Sequence, residues 1–163
     1  MTVSADFITR INGHKGILYK ICRSYCSNPA DRDDLAQEMI VQIWRSYPRF
    51  DEKFQFTTWM YRIALNVAIS WFRKARSRQH LPIGDQLFEI SSEDIQDESA
   101  DLQLLQQFIS ELKPLDKALM ILYLEDKSHQ EIADVLGMSV SNVGTKVGRI
   151  KTSLRQKFSQ VKT

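Results

Sequence analysis

Residues 128–154 carry a punctuation that constrains the fold more than any other part of the chain. Ser128 followed three positions later by Glu131 forms a capping box, in which each side chain satisfies the other's backbone N–H at a helix start. Ile132, Ala133 and Leu136 then recur on one face of the helix this opens. Gly137 supplies the left-handed turn that side chains with a Cβ resist. Ser139 or Ser141 caps a second, longer helix with Val143, Val147, Ile150 and Leu154 inward. The small Ala133 lets the second helix cross close, and Val143 seals the crossing. This is the spacing of a helix-turn-helix, whose second helix lies in the major groove of duplex DNA. Its outward face would offer Ser141, Asn142, Thr145, Lys146, Arg149 and Lys151. Asn pairs with adenine edges and Arg with guanine, while Lys and Ser hold phosphates. A plain helical hairpin is the alternative reading.

A second stretch, Phe54 to Arg78, combines rings with cations. It holds six of the chain's sixteen aromatics, namely Phe54, Phe56, Trp59, Tyr61, Trp71 and Phe72. Arg62, Arg73, Lys74, Arg76 and Arg78 are interleaved, and there is no Asp or Glu. Rings that stack on unpaired bases beside cations that follow the phosphates are how single strands are held. The competing reading is a core helix with rings inward and cations in solvent.

Charge divides the chain into blocks. Residues 1–80 hold 13 bases against 7 acids, residues 81–110 hold 7 acids and no base, and residues 111–163 hold 9 bases against 6 acids. Two basic blocks around an acidic one point to a polyanionic partner. Pro82, Gly84, several serines and the acids Asp85, Glu89, Glu93, Asp94, Asp97, Glu98 and Asp101 read as a flexible acidic linker over 79–101. The expected fold is all-α, with a helical domain over 7–78 and a helix-turn-helix domain over 102–160.

Within the first domain, 7–27 reads as helical with a break near Gly13 to Gly16, and Asn28-Pro29 as a turn. Asp31, Asp33 and Asp34 crowd the start of a helix that Pro48 ends, with Ala36, Met39, Ile40, Ile43 and Tyr47 as its apolar stripe. The loop Arg49 to Gln55 leads to a third helix capped by Thr57 or Thr58 and running to about Arg76. In the second domain Leu102, Leu105, Phe108, Ile109 and Leu112 share a face, and Lys113-Pro114 ends their helix.

Cys22 and Cys26 share a helix face without nearby histidines, so they read as reduced core thiols, not a zinc site. His14, His80 and His129 lack ligand-spaced partners. No metal, cofactor or catalytic residue is expected. The first residues lack a signal-peptide pattern and no run approaches the roughly 20 apolar residues of a membrane span. A cytoplasmic protein without membrane insertion is expected.

A single-strand stacking segment in one domain and a duplex-reading helix in another converge on one family. The chain resembles the extracytoplasmic-function sigma factors, described as the smallest members of the bacterial primary sigma family. Asp34-Leu35-Ala36-Gln37-Glu38 with Ile43-Trp44 resembles the segment that docks on the clamp helices of RNA polymerase. Phe56-Thr57-Thr58-Trp59-Met60-Tyr61-Arg62-Ile63-Ala64 and Asn66 resemble the segment for the −10 element, and 127–151 the reader of the −35 element. The resemblance implies core-polymerase contacts at Asp34, Gln37, Glu38 and Trp44. It implies −10 contacts at Phe54, Phe56, Trp59, Tyr61, Arg62, Asn66, Arg73 and Lys74, with the loop Arg49 to Phe56 and Asn66 receiving a flipped base. It implies −35 contacts at the outward residues of the reading helix, and core RNA polymerase, promoter DNA and an anti-sigma factor as partners. Ser70 and Leu65 depart from the family's common Asp and Arg, and Gly144 and Gly148 stand where larger side chains are common. The alternative is a free-standing helix-turn-helix regulator, which would have no use for stacking aromatics among cations.

Overall fold

The computed structural model describes residues 3–79 and 100–162. Chain compactness defines two units, Met1–Pro82 and Ile83–Thr163. Most of the expected linker lies outside the described residues. Its edges are helical: Gln79 closes one helix, and Ala100 and Asp101 open another. All regular elements among the described residues are helices.

In the first unit, α1 (Val3–Gly13), α2 (Lys15–Tyr25) and α3 (Pro29–Ser46) precede a 3₁₀ turn at Tyr47–Arg49 and the long α4 (Phe56–Gln79). The break between α1 and α2 falls at His14. Asn28-Pro29 is a helix start, not a separate turn. The Asn28 side chain accepts the Ala30 N–H at 2.8 Å, and Pro29 occupies the first helical position, where no N–H is required. α4 likewise begins at Phe56, ahead of both candidate threonine caps, because the Gln55 carbonyl accepts the Trp59 N–H at 3.2 Å.

The core of this unit forms where α2, α3 and α4 pack together. Leu18, Ile21, Cys22, Leu35, Met39, Ile43, Met60, Leu65 and Ala68 are buried. The inward stripe of α3 is Leu35, Met39 and Ile43, continued by Tyr47 in the 3₁₀ turn; of the residues expected in it, Ala36 is half-buried at its edge and Ile40 is corrected to the surface. A one-residue shift turns a side chain by about 100° around the axis. Leu35 is therefore inside and Ile40 is left 36% exposed. Burial pushes the Cys22 thiol up to about 11, with Arg32 opposing, so the thiol stays protonated and inert near neutrality.

The second unit comprises α5 (Ala100–Ser110), α6 (Pro114–Leu124), α7 (His129–Leu136) and α8 (Val140–Lys162). Pro114 opens α6 at its first position and does not terminate α5, which has already stopped at Ser110. Phe108 and Ile109 are buried on α5, whereas Leu102 is exposed. Phe108 meets Phe158 of α8 edge to face at 5.2 Å. Ala118 to Leu122 of α6 are buried, together with Lys117.

The reassigned stripe of α3 has a direct test. Leu35→Ala should destabilise the first unit by about 2–5 kcal/mol, and Ile40→Ala, at a side chain already 36% exposed, by about 1 kcal/mol. Urea unfolding followed by tryptophan fluorescence, which reports on this unit, measures both. Equal costs would contradict the placement.

Candidate nucleic-acid interface

The turn between α7 and α8 is built from side chain to backbone closure. Ser128 Oγ accepts the Glu131 N–H at 3.1 Å, and Glu131 Oε1 accepts the Ser128 N–H at 3.4 Å. At the other end Gly137 stands at φ 69°, in the left-handed region. The Ala133 carbonyl accepts both the Gly137 N–H at 2.9 Å and the Met138 N–H at 3.1 Å, which closes the helix end. Ser139, not Ser141, caps α8, its Oγ accepting the Asn142 N–H at 3.1 Å. Ile132, Ala133 and Val135 are buried on α7; Leu136, expected inward, is only half-buried. On α8, Val143, Val147, Ile150 and Leu154 are all buried.

Burial of that stripe turns Ser141, Asn142, Thr145 and Arg149 to solvent along one face. The Thr145 hydroxyl donates to the Ser141 carbonyl at 3.0 Å. Lys146 and Lys151 are placed differently from the expectation of freely presented cations. Lys146 Nζ stands 3.7 Å from Asp116 Oδ1. Lys151 Nζ donates to Tyr123 Oη at 3.1 Å and lies 5.2 Å from that ring's centroid. Both are held toward α6. A methyl group at Gly144 would sit 3.6 Å from His129 Nδ1, at ordinary contact, and one at Gly148 would meet open space. Neither glycine is demanded by packing within the unit. The proximity of His129 to α8 was not visible in the sequence.

In the first unit, α3 presents Asp34, Gln37 and Glu38 outward. Gln42 Nε2 donates to Glu38 Oε1 at 3.1 Å. Trp44 is 42% exposed, its ring packed on Phe7 at 4.9 Å. Ile40 and Val41, which stripe reasoning did not place at the surface, are exposed on the same helix.

The rings expected to meet bases divide into three groups. Phe54 is the most exposed, at 67%. Phe56 and Trp59 are half-buried in a cluster with Tyr47 and Phe50. Phe50 lies 4.9 Å from Trp59 and 5.6 Å from Phe56, and Phe56 lies 5.6 Å from Trp59. Tyr61 is a correction: it is 2% exposed, because it falls on the inward face of α4 beside Met60 and Ala64. Its ring belongs to the core and is not offered to a base. Trp71 and Phe72 are half-buried, and Phe72 meets Tyr25 at 6.4 Å. Arg62, Asn66, Arg73 and Lys74 are exposed, and Arg62, Asn66 and Arg73 follow one face of α4 at helical spacing.

Sequence reasoning missed Arg10. Its guanidinium lies 5.5 Å from the centroids of Phe50 and Phe56, 5.9 Å from that of Tyr47, and 2.7 Å from Glu52 Oε1. The hydrogen bond to Glu52 raises the Arg10 pKa. Tyr47 donates its hydroxyl to Asp6, and that bond raises the phenol's pKa. Among the described residues no group of three or more His, Cys, Asp or Glu could hold a metal ion. Nor is any described helix long and apolar enough to cross a membrane.

The turn geometry yields paired expectations. Gly137→Ala should destabilise the second unit by about 1–2 kcal/mol, the cost of a left-handed residue with a Cβ. Gly148→Ala should stabilise it by up to about 1 kcal/mol, since the methyl meets open space in a helix. Urea unfolding followed by circular dichroism reads both, and a destabilising Gly148→Ala would contradict the account.

Comparison with known proteins gives a consistent result. Residues 11–78 match Sigma-70 region 2 and residues 102–154 match Sigma-70 region 4. The chain is 27% identical over 165 residues to the ECF RNA polymerase sigma factor SigW of Bacillus subtilis, covering 93% of this chain and 88% of that one. It is 30% identical over 155 residues to the RNA polymerase sigma factor CnrH of Cupriavidus metallidurans, covering 86% and 80% respectively. The fold is shared with the sigma factor RpoE of Bartonella quintana, solved in complex with the anti-sigma factor NepR. That likeness has a TM-score of 0.78 at 20% identity, over 94% of this chain and 97% of the other. It is shared as well with CnrH in complex with the cytosolic domain of CnrY, with a TM-score of 0.69 at 22% identity, over 96% and 90%.

Proposed function

The chain belongs to the extracytoplasmic-function (ECF) RNA polymerase sigma factors, and from that premise we propose how its surfaces divide the work of starting transcription. It is a promoter-recognising subunit of RNA polymerase. The observation that carries this function is the ordered pair of matches, region 2 and then region 4, each on its own helical unit. The comparisons support the ECF group and not the wider primary-family label. A free-standing regulator is not favoured, since region 2 would have no role in it.

The outer face of α3 docks on core polymerase through Asp34, Gln37 and Glu38, with Trp44 and the exposed Ile40 and Val41 as apolar contact. The mixture of exposed apolar and charged groups on one helix supports this assignment. The loop before α4 and the exposed Arg62, Asn66, Arg73 and Lys74 take the opened −10 element. Phe54 stacks, and the Phe50–Phe56–Trp59 cluster forms the floor on which an extruded base rests. Flipping costs a few kcal/mol, which stacking and edge hydrogen bonds recover. In region 4, Asn142 and Arg149 read bases of the −35 element, and Ser141 and Thr145 contact nearby groups. Lys146 and Lys151 contribute positive potential from their places beside α6.

No catalytic step belongs to this chain, and its place of work is the cytoplasm. We further assign it an anti-sigma partner; the two structural neighbours, solved with NepR and with the cytosolic domain of CnrY, support that assignment.

The function is tested by transcription from promoter DNA with core polymerase, with and without this chain. Initiation should require both. Glu38→Lys should weaken binding to core polymerase at least about tenfold without unfolding, since like-charge contacts across an interface cost several kcal/mol. Co-purification at the wild-type level would contradict the assignment of that face. Arg149→Ala should cost about 1–3 kcal/mol and relax preference at one base pair of the −35 element. An equal loss on every sequence would instead make Arg149 a phosphate contact.

A further inference from the structure

We propose that Arg10 is a positioning residue for the −10 element. It holds the Phe50–Gln55 loop in one shape and so sets how sharply the first unit discriminates among −10 sequences. The proposal rests on the reading of that loop as the seat of an extruded base.

Arg10 is on α1, 42 positions from the loop residue it grips. Its Nη2 donates to Glu52 Oε1 at 2.7 Å. The same guanidinium lies 5.9 Å from the ring of Tyr47, before the loop, 5.5 Å from Phe50, inside it, and 5.5 Å from Phe56, after it. Asp6, one turn earlier on α1, stands 3.7 Å from Arg10 Nε and accepts the Tyr47 hydroxyl. One side chain thus spans both ends of the loop, a ring within it and its carboxylate.

The loop's own hydrogen bonds are local. Lys53 donates its N–H to Asp51 Oδ1 at 3.0 Å, and Phe54 donates its N–H to the Asp51 carbonyl at 3.0 Å. Residues 51–55 are exposed. These bonds shape the turn; Arg10 ties it to α1. Arginine suits the task, being flat enough to stack on rings and forked enough to hold a carboxylate in the same pose. A surface loop without such a tie samples many shapes, and apparent affinity falls with the fraction of time the competent shape is held. A base pocket gains selectivity when its rings and polar edges are in place before the base arrives. The consequence is specific. A residue that merely stabilised the unit would affect all promoters alike, whereas a positioning residue alters the ratio between −10 sequences.

The test uses holoenzyme assembled from core RNA polymerase and the full chain. A duplex library randomised across the −10 region yields the promoter that the wild type opens best, and open-complex formation is measured on it and on its single-base variants. Arg10→Ala should lower the ratio between the best promoter and its variants by about tenfold, because only the best promoter draws on the competent shape and loses when that shape is held about a tenth of the time, whereas variants whose base gains nothing from the loop do not. Discrimination at the −35 element and affinity for core polymerase should not change. Arg10→Lys should restore the ratio only in part, because it keeps the charge and loses the flat fork. Glu52→Gln, which keeps every ring, should lower the ratio by less than Arg10→Ala. Unchanged −10 ratios in folded Arg10→Ala, or equal weakening on every promoter, would overturn the proposal. If thermal melting shows Arg10→Ala unfolded, unchanged ratios in both Arg10→Lys and Glu52→Gln would overturn it. A uniform gain in Glu52→Gln on every −10 sequence would also overturn it, marking Glu52 as a group that only repels phosphate. Failure of the wild-type chain to open any library promoter with core polymerase would instead overturn the sigma-factor reading beneath it.

Discussion

Helical periodicity couples what is buried to what is presented, and the functional surfaces of this chain depend on that coupling. Once Leu35, Met39 and Ile43 enter the core against α2 and α4, Asp34, Gln37, Glu38 and Val41 have no place except solvent. The same holds in the second unit. Val143, Val147, Ile150 and Leu154 pack inward, and Ser141, Asn142, Thr145 and Arg149 are turned out together. Neither face needs a side-chain hydrogen bond to orient it; apolar burial of its opposite side is sufficient.

Where local signals act alone, the sequence was enough. The capping box at Ser128 and Glu131, the left-handed Gly137 and the inward valines of α8 lie within 27 residues of one another and interact through the backbone or a single helix face. The helix-turn-helix followed from them, whereas the all-α fold class was read from helical spacing along the chain and the division into two units from the acidic stretch over 79–101. The errors lay where two competing local signals differed by one position. Leu35 and Ala36 both extend a plausible stripe, as do Met39 and Ile40, and only packing against α2 and α4 selects between them. Tyr61 was counted among the stacking rings because it lies in a stretch dense in rings and cations, yet a 100° turn from the exposed Arg62 puts it in the core. Pro114 illustrates a different ambiguity, since a proline in sequence can mark either the end of one helix or the start of the next, and here it only starts one.

What no local pattern could reveal is contact across many residues. Arg10 meets Glu52 across 42 positions, and Lys151 meets Tyr123 across 28. In both cases a cation is held by an aromatic neighbour and an oxygen acceptor. The pairs alter the electrostatic account of the chain: a count of basic residues treats Lys146, Lys151 and Arg10 as equivalent to Arg62 or Arg149, but the first three already have intramolecular partners. Exposed pairs of this kind are worth little individually, so a phosphate can compete for Lys146 or Lys151. Arg10 is the least replaceable of the three, since it also covers three ring faces.

On the proposed function, the first unit holds an opened strand while the second holds duplex, both in the service of core polymerase. Permanganate reactivity of thymines reads the opened strand, because the reagent modifies thymines that have left the stack. With core polymerase and this chain on a promoter, reactive thymines should appear in the −10 region while those of the −35 region stay stacked and unreactive. Neither core polymerase nor the chain alone should produce them. No reactive thymine in the −10 region with core polymerase and the chain both present, or reactive thymines spread equally into the −35 region, would contradict the account.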